Sequence, residues 1–241
     1  GGSEDTGAGR GRTVSFESWD GEPVSCYWVH PGSGASPQEG TPSVIVLSDV
    51  FGIGEASNRV WCDSLADRGF SVLLPDLFRS QPWDEEKYGG ATGSSPEYEG
   101  WRNLHPEHRV SRDIAAATRT LRDLAGPGSV LGAAGFCFGG GRMLEALAVE
   151  GALSEEARAA VAFYPTRVNE EVMGRLACAT LCLVGEDDDM IPPSLCKALE
   201  TACPHPSKAV SFKTCGHAFA HRPHTASERE AASSALDQAV A

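Results

Sequence analysis

No run of about 18 consecutive apolar residues, the length a membrane-spanning helix requires, occurs in the 241-residue sequence. Its start also lacks the basic-then-apolar pattern of a secretory leader. Positive charge is scarce: 20 Lys and Arg stand against 33 Asp and Glu, a formal net charge of −13. Such a surface repels phosphate backbones and acidic membranes, which sets nucleic acid and membrane aside as partners. It does not exclude an anionic small molecule, because a few arginines in a cleft act locally while distant charge is screened beyond roughly 8–10 Å. Internal repeats and low-complexity blocks are absent. No CxxC pair lies near Cys137, which argues against a thiol redox cycle there.

What is present fits an ordinary globular domain, with 41% hydrophobic and 22% charged residues. Residues 13–241 are expected to form a single α/β domain. Residues 1–12 have neither an initiator Met nor apolar periodicity, so they are expected to be a disordered tail, a processed end or a tag remnant. The eight cysteines, at 26, 62, 137, 178, 182, 196, 203 and 215, are expected to be free thiols in a reducing compartment. That points to the cytoplasm without excluding an organelle. Cys178 and Cys182 lie in an apolar stretch that looks like the entry to a buried strand rather than a zinc site, so no metal is expected.

Short apolar runs alternate with longer helical patterns, the signature of a mostly parallel sheet with helices on both faces. Strands are expected at 13–17 and 24–29, an antiparallel edge hairpin around Trp19-Asp20-Gly21, and then at 44–47, 71–74, 130–135, 160–164, 180–184 and 209–213. Helices are expected at 57–68, 107–124, 139–149, 168–176, 193–203 and 226–240. In the second of these, Val110, Ile114, Ala117, Leu121 and Leu124 form an apolar stripe, and Arg112, Asp113, Arg119, Arg122 and Asp123 read as a solvated face. The connection 78–108, with Pro82, Trp83, Tyr88, Tyr98 and Trp101, lacks periodicity and reads as a lid-like loop or a substrate wall.

Chemistry concentrates after the strand expected at 130–135, where Gly135-Phe136-Cys137-Phe138-Gly139 precedes a helical segment. This is the G-x-C-x-G form of the nucleophile elbow, with Cys in the usual Ser position. The glycines two residues either side allow the strained bend, and a helix starting there favours thiolate over thiol. In this frame an acid and then a histidine follow in chain order. After the strand expected at 180–184 come Asp187, Asp188 and Asp189, of which Asp188 is favoured, four residues before Pro192, with Asp187 as the runner-up. After the strand expected at 209–213 comes Gly216-His217, where a general base belongs. His30, His105, His108, His205, His221 and His224 lack that context and read as surface residues, although His221 stands close enough in sequence to border the pocket. The frame also supplies two backbone oxyanion donors, the N–H groups of Val50 and Phe138.

Four segments together resemble the dienelactone hydrolase (carboxymethylenebutenolidase-like) family of the α/β-hydrolase superfamily. They are Val46-Leu47-Ser48-Asp49-Val50-Phe51-Gly52, Pro75-Asp76-Leu77-Phe78-Arg79, Gly135-Phe136-Cys137-Phe138-Gly139-Gly140 and Gly216-His217-Ala218-Phe219. The resemblance implies an α/β-hydrolase fold and a cysteine-nucleophile hydrolase of small lactones or esters, with no metal or organic cofactor. It implies that Asp49, where bacterial relatives carry glutamate, contacts the resting cysteine and helps control its ionisation. It implies that Arg79 holds a substrate carboxylate, so a carboxylated ester or lactone is among the expected partners. Phe51, Trp83, Tyr164, His221 and Arg222 complete the expected substrate-binding set, with Arg222 displaced by one inserted position on the histidine loop. Monomer and homodimer are both open. The competing readings are a catalytically silent ligand-binding protein on the same fold, a general carboxylesterase, and redox work at Cys137.

Overall fold

The apolar runs pair into one eight-stranded sheet in the computed structural model, which describes residues 9–32, 36–88 and 95–241. Strands β1 (Arg12–Glu17) and β2 (Pro23–Val29) form an antiparallel hairpin whose turn is closed by Ser18 N–H donating to the Glu22 carbonyl at 2.9 Å. Gly21 takes φ 80° in that turn, a left-handed conformation that suits glycine. The sheet continues with β3 (Ser43–Leu47), β4 (Ser71–Pro75), β5 (Leu131–Phe136), β6 (Ala157–Phe163), β7 (Ala179–Gly185) and β8 (Lys208–Phe212). The spatial order is β1-β2-β4-β3-β5-β6-β7-β8, with the hairpin at one edge. β2 runs antiparallel to β4, and every later neighbour pair is parallel. Parallel strands force crossovers, and helices supply them.

Those helices are α1 (Ala56–Asp67), α2 (Glu85–Tyr88), α3 (Pro96–Asn103), α4 (Glu107–Ala125), α5 (Cys137–Leu147), α6 (Ala152–Glu156), α7 (Pro193–Ala202) and α8 (Ala226–Val240). β3 and β4 are buried at every position, as strands covered on both faces must be. Helices α4, α5 and α6 pack against one another, while Arg68 at the end of α1 pairs with Asp237 of α8 at 3.0 Å.

The expected strands and helices appear in order, with α6 as an unexpected addition and with the following corrections. The segment expected as a helix at 168–176 is a 3-10 turn, Glu170–Arg175, capped by the Asn169 side chain and weakened by Gly174. The fifth helix begins at Cys137 rather than at 139, so the bend itself opens the helix. The 78–108 connection contains α2 and α3, and Trp83, Tyr98 and Trp101 pack ring against ring within it. Gly89 and Gly90 of that connection lie outside the described residues. Finally, Asp113 is fully buried rather than solvated. It accepts from Arg79, Arg109 and Ser18, a buried carboxyl group held between two guanidinium groups. Of the expected tail, residues 1–8 lie outside the described residues. Arg10 is held by Asp63 and Asp67, and Gly11 N–H donates to Tyr27 Oη at 2.6 Å.

Candidate active site

At the end of β5 the chain turns into α5 within a single residue, and Cys137 carries φ 50°. Non-glycine residues adopt this region at a cost of order 1–3 kcal/mol, so the surroundings must enforce it. Two glycines permit it. A Cβ at Gly135 would stand 2.8 Å from the Gly139 carbonyl oxygen, and one at Gly139 would run into the carbonyl oxygens of Leu47 and Ser48. Helix α5 therefore presses against the end of β3, where Gly139 N–H donates to Ser48 O at 3.1 Å. This contact brings Phe138 N–H, in the first turn of α5, close to the chain that follows β3. Among the described residues, Val50 N–H meets no acceptor, whereas the Val50 carbonyl is tied to Trp83 N–H at 2.8 Å.

Cys137 is 8% exposed and lines a cleft of about 350 Å³. His217, Val50, Phe51, Asp49 and Arg222 share that lining, and Tyr98, Glu85, Met190, Ala218 and His224 complete it. His217 Nδ1 lies 2.7 Å from Asp188 Oδ2, and the Asp188 side chain is fully buried. Asp188 Oδ1 accepts from Met190 N–H at 3.0 Å, which ties the carboxylate to its own turn. Asp187 is exposed, as is Asp189, so of the three consecutive aspartates only Asp188 reaches the imidazole. His217 Nε2 is buried without a hydrogen-bond partner among the described residues, and Cys137 shares the cleft with the ring. Burial by itself would lower the His217 pKa. The hydrogen bond to Asp188, and the charges of Asp188 and Cys137, outweigh burial and raise it to about 10.

Backbone strain is spread around this cleft. Besides Cys137, Tyr164 has φ 37° and Ala218 has φ 67°. Thr166, which sequence reasoning missed, donates its N–H to the Cys137 carbonyl at 3.1 Å and places its hydroxyl 3.8 Å from the sulfur. Glu85 and Tyr98 come from the 78–108 connection that reads as a lid or substrate wall, whereas Met190 and His224 were missed as wall residues. Neither of the missed residues carries a local signal, since each reaches the cleft from a separate loop.

Asp49 departs from its expected role. Its Oδ2 accepts from His221 Nε2 at 3.0 Å and Arg222 Nη2 at 2.8 Å, and its Oδ1 from Asn58 Nδ2 at 3.0 Å and Phe51 N–H at 3.2 Å. Both oxygens are thus saturated, and among the described residues none of these bonds goes to Cys137. Burial alone would raise the Asp49 pKa, but the His221 and Asn58 bonds and the Arg222 charge bring it below the usual carboxylate range. His221 is not a surface residue, and neither is His105. Burial lowers the pKa of His221 against the pull of Asp49. The neutral ring donates from Nε2 to Asp49 and accepts at Nδ1 from the Tyr164 hydroxyl, 2.6 Å away. Asn58, on α1, had no sequence signal at all.

Four expected substrate-binding residues do not face the cleft. Arg79 turns away to Asp20 at 2.7 Å and Asp113 at 2.8 Å, because the buried Asp113 requires a cation. Trp83 is buried among Tyr88, Tyr98 and Trp101 and borders an adjoining cleft instead. Tyr164 is fully buried behind His217, and His221 behind Asp49. Phe51 and Arg222 do line the cleft, with the guanidinium 4.2 Å above the Phe51 ring centroid.

A mostly parallel, helix-covered sheet with a strained strand-to-helix bend beside a histidine from the last loop defines an α/β-hydrolase. The Dienelactone hydrolase family model matches residues 31–241. The chain belongs to that family. A carboxymethylenebutenolidase homolog of Mus musculus is 28% identical over 192 residues, which cover 78% of this chain and 74% of the mouse protein. Two solved structures share the fold. A candidate dienelactone hydrolase from Klebsiella pneumoniae superposes with a TM-score of 0.77 at 23% identity, covering 94% of this chain and 95% of the other. The dienelactone hydrolase-like promiscuous phosphotriesterase P91, from metagenomic libraries, does so at 0.71 and 21%, covering 96% and 98%.

Proposed function

We propose that the chain hydrolyses small esters or lactones through an acyl-cysteine intermediate on Cys137. The observation that carries this reading is the position of His217. One ring nitrogen is anchored to buried Asp188 at 2.7 Å, and the other, buried with no hydrogen-bond partner among the described residues, belongs to a ring that lines the same cleft as Cys137. In the proposed cycle His217 takes the thiol proton, and sulfur attacks the substrate carbonyl carbon. Negative charge collects on the carbonyl oxygen, where Val50 N–H and Phe138 N–H donate. As the tetrahedral species collapses, the carbon–oxygen bond to the alkoxide breaks and the imidazolium returns its proton to that oxygen. For a lactone the new hydroxyl stays attached to the acyl chain. A water, deprotonated by His217, then attacks the thioester, and the thiolate leaves and is reprotonated. Asp188 holds the ring tautomer and stabilises the imidazolium throughout. Asp49, saturated by four donors, anchors the Val50–Phe51 turn rather than exchanging protons with the sulfur.

The test is a stopped-flow and mass-spectrometric comparison of wild type with Cys137→Ala, using a 4-nitrophenyl ester. Wild type should show a burst of nitrophenolate and a transient acyl adduct on the peptide containing Cys137. Hydrolysis that persists undiminished in Cys137→Ala would overturn the proposal.

A further inference from the structure

We propose that Thr166 is a positioning residue for the nucleophile, its hydroxyl donating to Cys137 Sγ a hydrogen bond that strengthens as the sulfur gives up its proton. The inference rests on the acyl-cysteine reading above and adds a residue which that cycle does not use.

The sheet register brings the two residues together. β5 and β6 are parallel neighbours with Phe136 opposite Phe163, so their chains leave the sheet side by side, Cys137 on one and Thr166 on the other. Segment 164–167 is then pinned from several directions. Thr166 N–H donates to the Cys137 carbonyl at 3.1 Å, and Tyr164 N–H to the Leu183 carbonyl at 2.8 Å. Arg142 Nη2, on α5, reaches the Arg167 carbonyl at 3.5 Å. Gly141 lets α5 lie this close, because a Cβ there would run into the Thr166 carbonyl oxygen. Within the segment Tyr164 has φ 37° and Arg167 has φ 54°, values that residues with side chains rarely adopt. Such strain persists only where surrounding contacts enforce it. What the strained segment delivers is a buried hydroxyl. Thr166 is 5% exposed, and its Oγ1 stands 3.8 Å from Cys137 Sγ.

That hydroxyl has no competing task. Among the described residues it meets no acceptor other than the sulfur, so its proton points at Sγ. Thr166 is also absent from the residues lining the catalytic cleft, so it acts on the sulfur without touching substrate. In the resting thiol the bond is long and weak, because neutral sulfur is a poor acceptor. Transfer of the thiol proton to His217 puts negative charge on the sulfur, and hydrogen bonds to a charged acceptor are shorter and roughly twice as strong. The hydroxyl therefore favours the charged sulfur, and the transition state of its attack, over the resting thiol.

The experiment follows the nitrophenolate burst from a 4-nitrophenyl ester as a function of ester concentration, which separates the substrate dissociation constant from the acylation rate constant. It is run on wild type, Thr166→Val and Thr166→Ser. Valine keeps the shape of threonine and loses the hydroxyl, whereas serine keeps the hydroxyl and loses the methyl group. In Thr166→Val the acylation rate constant should fall about tenfold while the dissociation constant stays within about twofold. In Thr166→Ser acylation should stay within about threefold of wild type. A residue that merely packs gives the reverse order, with valine the better substitute. Thr166→Val acylating as fast as wild type, or Thr166→Ser acylating as slowly as Thr166→Val, overturns the inference while leaving the hydrolase reading intact. Should Thr166→Val fail to fold, Thr166→Ala takes its place and must show the same tenfold loss beside an active Thr166→Ser. If wild type gives no burst, the hydrolase reading fails and this inference falls with it.

Discussion

Asp188→Asn separates orientation of His217 from mere packing around it. The substitution keeps shape and volume but removes the charge that sits 2.7 Å from Nδ1 in a fully buried position. Raising the imidazole pKa from 6.5 to about 10 against the opposing effect of burial corresponds to roughly 5 kcal/mol of preference for the charged ring, shared between Asp188 and Cys137. Without the carboxylate, burial is opposed by Cys137 alone, and the amide can also stabilise the wrong tautomer. We expect kcat/KM on a 4-nitrophenyl ester to fall about 10³–10⁴-fold, the scale seen when a triad acid is neutralised in place. Folding stability supplies an independent readout. Because the folded pKa is raised, the imidazolium contributes fully below pH 6.5, and its contribution is lost as pH climbs through about 10. The difference in urea-unfolding free energy between wild type and Asp188→Asn should therefore be largest near pH 6 and shrink toward pH 10. Asp187→Asn is the internal control, since Asp187 is exposed and should stay within about twofold of wild type. An Asp188→Asn enzyme within tenfold of wild type, or a stability gap that widens with pH, would refute the reasoning.

Three further outcomes follow from the packing. Gly139→Ala forces a Cβ into the Leu47 and Ser48 carbonyls; urea titration should show a loss of about 1–3 kcal/mol, and activity should fall further than stability. Arg79→Met removes one of the two cations on buried Asp113; the Tm should drop in step with a loss of about 1–3 kcal/mol, while kcat/KM on a neutral ester stays within twofold. His221→Ala strips a donor from Asp49 and an acceptor from the Tyr164 hydroxyl, both buried; a loss of about 2–4 kcal/mol is expected by chemical denaturation, with restoration of order 1 kcal/mol in His221→Gln.

The sheet and most helices were legible because each is a local pattern of apolar spacing and turn residues. The segment around Gly174 was misread because its apolar residues resemble a helix, while its capping and its glycine favour a 3-10 turn. The bend at Cys137 was legible for the same local reason, since glycine on both sides is a requirement of the backbone itself. The substrate wall was not. Arg79 follows an Asp-Leu-Phe stretch and looks available in one dimension, but its partner Asp113 lies 34 residues later, on the side of α4 that reads as solvated.

By itself, then, the sequence determined the order of elements, the glycine-flanked cysteine at a strand end and the presence of later acidic and histidine-bearing turns, because all are set by interactions within a few residues. Only the tertiary structure decided which of three adjacent aspartates meets His217 and which arginine lines the cleft. It also decided that Asp49 answers to His221, Arg222 and Asn58 rather than to the sulfur. Those choices depend on charges brought together from distant turns and buried, where each must be compensated by whatever partner the fold delivers.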